Sequence, residues 1–228
     1  MRKDRGVAAL TPTLSREGEG AVQGHMKVIG FSGYSGSGKT TLVEQLIVRL
    51  KLAGQRVSVV KHAHHDFDID QPGKDSWRHR QAGAFEVVVA SDRRLAKIRE
   101  YEVEAEPTVH QLIAELYECD WVLVEGFKHA DLLKIEVWRA ATGKAAQYPY
   151  DPYVVAISTD SPGELPVPTQ LPVLDLNDAD AVAHFLLGNP ARYEYRSPLF
   201  EPESASADAD AGGGAAAPAP VGPAASGG

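Results

Sequence analysis

Apolar residues in this chain gather in short runs separated by polar, glycine- and proline-rich connections. "KVIGFSG" (27–33), "RVSVVKH" (56–62), "EVVVAS" (86–91), "DWVLVEG" (120–126), "LKIEVWR" (133–139) and "YVVAIST" (153–159) are rich in β-branched side chains and predict strands. Between them the period lengthens. In "TTLVEQLIVRLKLAG" (40–54), Leu42, Leu46 and Leu50 with Val43 and Ile47 form one helical stripe, and Gly54 supplies the stop. Residues 75–83, 107–118 and 178–187 predict further helices. Alternating strands and helices predict an α/β domain, a mostly parallel sheet covered by helices on both faces.

Composition narrows the class without changing the fold. With 43% hydrophobic and 24% charged residues in 228, the chain can bury one α/β core and is neither disordered throughout nor membrane-like. No apolar run reaches the roughly 18 residues that a spanning helix needs. A net charge of −8 argues against a nucleic-acid binder, which needs a basic face. Cys119 is the single cysteine, so no internal disulfide forms and a reducing cytoplasm is expected. Residues 1–25 show no sustained period and no apolar core of a secretory signal, and the domain is expected to begin at Met26 and run to 190. Residues 191–228 read as a C-terminal extension, low in complexity and expected to be disordered from about 201, and residues 1–25 are expected to be disordered as well.

The first predicted strand runs into "GYSGSGKT" (33–40), a match to G-x-x-x-x-G-K-[ST], and the first helix follows at once. Strand, glycine loop and helix in that order are the context of a P-loop, which places the fold among P-loop NTPase-type domains. Gly33, Gly36 and Gly38 let successive backbone N–H groups turn toward a phosphate, and the helix start adds positive potential. Lys39 would neutralise β- and γ-phosphate oxygens and the Thr40 hydroxyl would sit on Mg²⁺. "DWVLVEG" ends in Glu125, where Walker B strands usually carry Asp; it reads either as the holder of a metal-bound water or as a solvent-facing strand end. Asp160, just past the last predicted strand, lies where guanine-specific P-loop proteins place a base-pairing Asp. The N-K-x-D tetrapeptide is absent, and a turn aspartate fits as well.

"GYSGSGKTTLVEQLI", "VKHAHHDFDIDQPGKDSWRHRQAGA", "VVVAS" and "DWVLVEGFKHADLLKIEV" together resemble the molybdopterin-guanine dinucleotide biosynthesis protein B family, from about Met26 to about 190. The resemblance implies a GTP-binding protein with weak hydrolysis, using Mg²⁺ and usually a homodimer. It implies a partner guanylyltransferase that joins GMP to molybdopterin late in molybdenum-cofactor synthesis. Carried over, the phosphate site falls on Ser35, Gly36, Ser37, Gly38, Lys39, Thr40 and Thr41, and the metal-proximal carboxylate on Glu125.

"VVKHAHHDFDIDQPGKDSW" (59–77) stays open between three readings. His62, His64 and His65 with Asp66 have the donor types of a zinc or nickel site. Alternatively the stretch is a solvated edge, with Asp66, Asp68 and Asp70 on one side and Phe67 and Ile69 half-buried on the other. The favoured reading is an anion or partner surface. Lys74, Arg78 and Arg80 flank a helix start capped by Asp75 or Ser76, and Lys61 and His62 leave the second strand at the P-loop edge. An accessory GTP-binding role leads on this reading, and a metal-insertion GTPase using the histidine loop is the alternative. A small-molecule kinase would need an Arg-rich lid, and none stands out. Tyr34 occupies the position of the extra lysine in one group of dimeric ATPases.

Overall fold

A computed structural model of the chain describes residues 26–63, 67–103 and 105–200. The main sheet has six strands: β1 (Lys27–Ser32), β2 (Val57–Lys61), β5 (Trp121–Glu125), β6 (Lys134–Val137), β7 (Val154–Thr159) and β8 (Val173–Asp175). They lie in the order β2-β5-β1-β6-β7-β8, every pair parallel, so β1 is central and the C-terminal strand ends share one edge. The sheet type matches the expectation.

Both faces are covered, which explains why the strands read as continuous apolar runs rather than alternating ones. Ile29 and Phe31 of β1, with Trp121 and Leu123 of β5, face a core closed by α1 (Lys39–Leu52) and α4 (Ala179–Leu187). The intervening Val28, Val122 and Val124 face the other way, onto Val109 and Ile113 of α3 (Val109–Ala114). The predicted stripe of α1 is the buried one: Leu42, Leu46 and Leu50 are fully enclosed, each contributing about 1.5–3 kcal/mol. Thr108 starts α3 with a capping box to Gln111, and the Asp178 carboxylate caps α4 by accepting from the Ala181 amide.

Three features depart from expectation. The run at 86–91 forms a strand, but not one of the main sheet. β3 (Glu86–Ala90) pairs antiparallel with β4 (Leu95–Arg99) as a separate hairpin, which leaves Val88 and Val89 exposed. Its register sets Glu86 opposite Arg99, whose guanidinium reaches the carboxylate at 2.8 Å, so opposite charges fix the pairing. Next, Lys74 holds the N-cap position of α2 (Asp75–Gln81), with no side-chain cap bond from it; the Ser76 hydroxyl donates to Asp70 instead. Finally, the folded body continues past 190. Tyr193 is buried against Trp121, Glu194 bridges Lys27, and the Tyr195 amide donates to the Met26 carbonyl at 2.8 Å. Residues 1–25 and 201–228 lie outside the described residues.

Candidate functional site

The loop between β1 and α1 is shaped by what surrounds it. A Cβ on Gly33 (φ +136°) would stand 2.3 Å from the Val137 carbonyl oxygen, so β6 leaves room only for glycine. Gly38, at φ 98°, is the left-handed residue that launches α1 without a side-chain cap. The first-turn amides of α1 are therefore free to meet an anion at the loop. Ser35 and Gly36 are exposed at the tip, Thr41 on the first turn of α1 is exposed as well, and Ser37 is buried with a hydroxyl that has no hydrogen-bond partner. Lys39 closes the loop by donating Nζ to the Gly33 and Tyr34 carbonyls at 2.9 and 2.8 Å. Burial holds its ammonium below the usual lysine range; Glu125 pulls the other way and Lys61 adds to the fall.

Glu125 is buried, not solvent-facing. It ends β5 directly between β1 and β2, and its register neighbour on β2 is Lys61. The Thr40 hydroxyl donates to Glu125 Oε1 at 2.6 Å, and Lys61 Nζ lies 3.2 and 3.3 Å from its two oxygens. A hydroxyl and a carboxylate converging beside a phosphate loop are the hard oxygen donors that Mg²⁺ prefers, and Lys61 shows that a cation fits against them. Lys61, expected in an anion surface, is thus the ion-pair partner of Glu125. On the other side of the loop Asp160 accepts from the Ser161 hydroxyl at 2.8 Å. It also lies 3.3 Å from Arg139 Nε, close enough for an ion pair but not aligned as a hydrogen bond. Arg139 lies along Gly38, so P-loop, Arg139 and Asp160 form one edge.

The stretch from 61 to 80 behaves differently from its favoured reading. His62 packs against Phe127 with the rings tilted and their centroids 4.7 Å apart, and its Cβ crowds Gly126. His64, His65 and Asp66 lie outside the described residues, and among the described residues no three metal-ligating side chains gather. Phe67 and Ile69 are exposed, so the half-buried edge does not form. Arg80 is no free cation: its side chain is 12% exposed and clamped by Asp68, Asp70 and Glu100. Those hydrogen bonds, from Glu100 first, push its guanidinium pKa up. Arg78 pairs loosely with Asp75 at 3.8 Å, and Lys74 precedes a seven-residue helix too short to carry an anion site. Arg80 is therefore not free to join Lys74 and Arg78 in an anion surface. Arg80 fastens the loop instead.

Sequence reasoning missed three residues near the site. Arg139 stands one residue past the apolar run "IEVW", and its place at the P-loop edge follows from β6 neighbouring β1. Lys134 and Glu136 alternate with Ile135 and Val137, a pattern of a half-exposed strand, yet all four are buried. Lys134 Nζ donates to the Lys128 and Ala130 carbonyls at 3.0 and 2.6 Å and pairs with Asp151 at 3.0 Å. Glu136 accepts the Gln147 and Tyr148 amides at 2.7 and 2.6 Å; burial pushes its carboxyl up, with those amides opposing. The two charges hold the loops that follow β5 and β6.

Residues 28–160 match the family described as molybdopterin guanine dinucleotide synthesis protein B, MobB. The chain belongs to the MobB family. It is 39% identical over 163 residues to the molybdopterin-guanine dinucleotide biosynthesis adapter protein of Escherichia coli, covering 70% of this chain and 91% of that protein. The adapter protein of Haemophilus influenzae is 40% identical over 162 residues, covering 70% and 86%. Among solved structures, the MobB protein homolog from Bacillus stearothermophilus is similar with a TM-score of 0.55 at 27% identity, over 72% of this chain and 98% of that one. The MobB match contains the phosphate loop, Glu125, Arg139 and Asp160, while the docked segment around Tyr193 lies beyond it.

Proposed function

We propose that this protein binds GTP with Mg²⁺ at the loop from Gly33 to Thr41. In that state it serves as an adapter in molybdopterin guanine dinucleotide synthesis, beside the guanylyltransferase that joins GMP to molybdopterin. The observation that carries the nucleotide reading is the contact of Thr40 with Glu125 at 2.6 Å under the phosphate loop. Thr40 and Glu125 would hold Mg²⁺, whose charge would offset that of the phosphate oxygens. Asp160, at the same edge, would read the guanine. The pathway reading is supported by the similarity to the molybdopterin-guanine dinucleotide biosynthesis adapter proteins of E. coli and H. influenzae.

The same contacts favour binding over turnover. Both Glu125 oxygens are engaged, by Thr40 and Lys61, so this carboxylate is not available to take a proton from water. Hydrolysis is therefore weak, and a bound nucleotide persists long enough to be presented to a partner. Calorimetric titration with GTP, ATP and molybdopterin, with and without Mg²⁺, tests the reading. GTP is expected to bind more tightly than ATP, and more tightly with Mg²⁺. Lys39→Ala is expected to lose roughly 1.5–3 kcal/mol of that affinity through the missing charge-assisted contact. A wild-type protein that binds neither nucleotide, or a Lys39→Ala variant with undiminished affinity, would overturn it.

A further inference from the structure

Resting on the nucleotide reading above, we propose that Lys128 and Lys144 form a second cationic wall of the cradle and bind the terminal phosphate of a nucleoside triphosphate. Tyr34, the second residue of the P-loop, is the pivot. Its carbonyl accepts from Lys39, and its ring stands under two further ammonium groups, Lys128 Nζ at 5.6 Å and Lys144 Nζ at 6.0 Å from the centroid. Three lysines from three segments thus meet around one loop residue.

The two outer lysines are exposed, and among the described residues neither has a carboxylate partner. Bringing two like charges to one aromatic ring costs repulsion that the ring only partly offsets at an exposed site. An anion within reach of both would offset that cost.

Their backbones are nevertheless fixed. The Lys128 carbonyl accepts from the buried Lys134 ammonium at 3.0 Å, and the Lys144 carbonyl accepts from the Trp138 indole N–H at 3.0 Å. A pinned main chain limits the ordering needed on binding to the two side chains themselves. Lys128 also follows Glu125 by three residues, on the metal side of the cradle. The α1 amides and Lys39 serve the inner phosphates. Lys128 and Lys144, farther out, meet only the terminal one and so tell a triphosphate from a diphosphate.

The test uses the full chain with Lys128→Met, Lys144→Met and the double variant, titrated with GTP and with GDP in Mg²⁺. The double variant is expected to lose about tenfold or more in GTP affinity while GDP changes little, as charge-assisted phosphate contacts require. Both substitutions are at exposed side chains, and far-UV circular dichroism checks that the fold is kept. An unchanged GTP-to-GDP ratio, or equal weakening of both nucleotides, overturns the inference while the P-loop reading stands. A wild-type chain that binds neither nucleotide overturns both.

Discussion

Replacing Lys134 by Met leaves the volume of β6 nearly unchanged and removes one buried ammonium. The wild-type Nζ donates to two carbonyls, Lys128 and Ala130, and pairs with Asp151, and the residue is 2% exposed. Removing one partner of a buried pair costs about 3–5 kcal/mol, because the other charge stays behind. Asp151 keeps a hydrogen bond from the Tyr153 amide at 2.9 Å and its side chain is 18% exposed, which favours the lower end of that range. Each carbonyl left without a donor adds about 1 kcal/mol where water does not replace it. These contributions overlap, so a total of about 3–5 kcal/mol is expected, a fall of roughly 6–20 °C in Tm for a domain of this size. Urea and thermal unfolding followed by far-UV circular dichroism measure it. Adding Asp151→Asn to the Met variant then removes the stranded charge and is expected to recover part of the loss. A Met variant within about 1 kcal/mol of wild type would refute the reasoning about the ammonium. A double variant weaker than the single would locate the cost in the carbonyls rather than in Asp151.

Glu125→Gln is expected to abolish the gain in GTP affinity on adding Mg²⁺ while sparing Mg²⁺-free binding; equal losses in both titrations would contradict a metal-holding carboxylate. Tyr193→Ala empties a site against Trp121 and is expected to cost about 3–5 kcal/mol in urea unfolding. Ending the chain at residue 200 instead is expected to leave Tm nearly unchanged, the removed segment being low in apolar side chains. Arg80→Met has a pH signature. The Asp68 carboxyl is held below its ordinary value of about 3.8 by the Asp70 amide and then Arg80. At Asp70 burial works upward, but bonds from Ser76, Gln71 and Arg80 outweigh it. Depressed carboxylates contribute stability that is complete above the ordinary value and lost as pH falls through the folded one. The Tm gap between wild type and Arg80→Met is therefore expected to be full at pH 7 and to close below about pH 3.8; a gap independent of pH would contradict it.

The phosphate loop and its sheet were legible because local pattern and tertiary role coincide there. Gly33, Gly38 and Lys39 have few other uses in that spacing, and the leucines of α1 repeat at the helical period over three turns. The hairpin of β3 was misplaced because "EVVVA" looks the same whether its partner is a buried parallel strand or an exposed antiparallel one. What decides is Arg99, thirteen residues on, opposite Glu86. β8 is three residues long, too short for any period to register. The role of Arg80 was hidden because its partners Asp68, Asp70 and Glu100 are distributed on both sides of it in sequence, and only the folded loop gathers them. Lys134 was hidden for the opposite reason: a charged residue in a strand implies water, and here the folded loop supplies the acceptors.

The central place of β1 has a consequence for synthesis. Of the six strands of the main sheet it is the first to leave the ribosome, yet Lys27 pairs with Trp121 and Gly30 with Lys134, so both of its neighbours are about a hundred residues away. At typical elongation rates its two edges stay open for on the order of 5–20 s. During that interval α1 and the β3–β4 hairpin can form from local contacts, but "KVIGFS" has nothing to pair with inside the chain. Closing so large a loop precedes any gain from the core, which predicts slow collapse and a nascent chain that depends on chaperone cover until residue 137 has emerged.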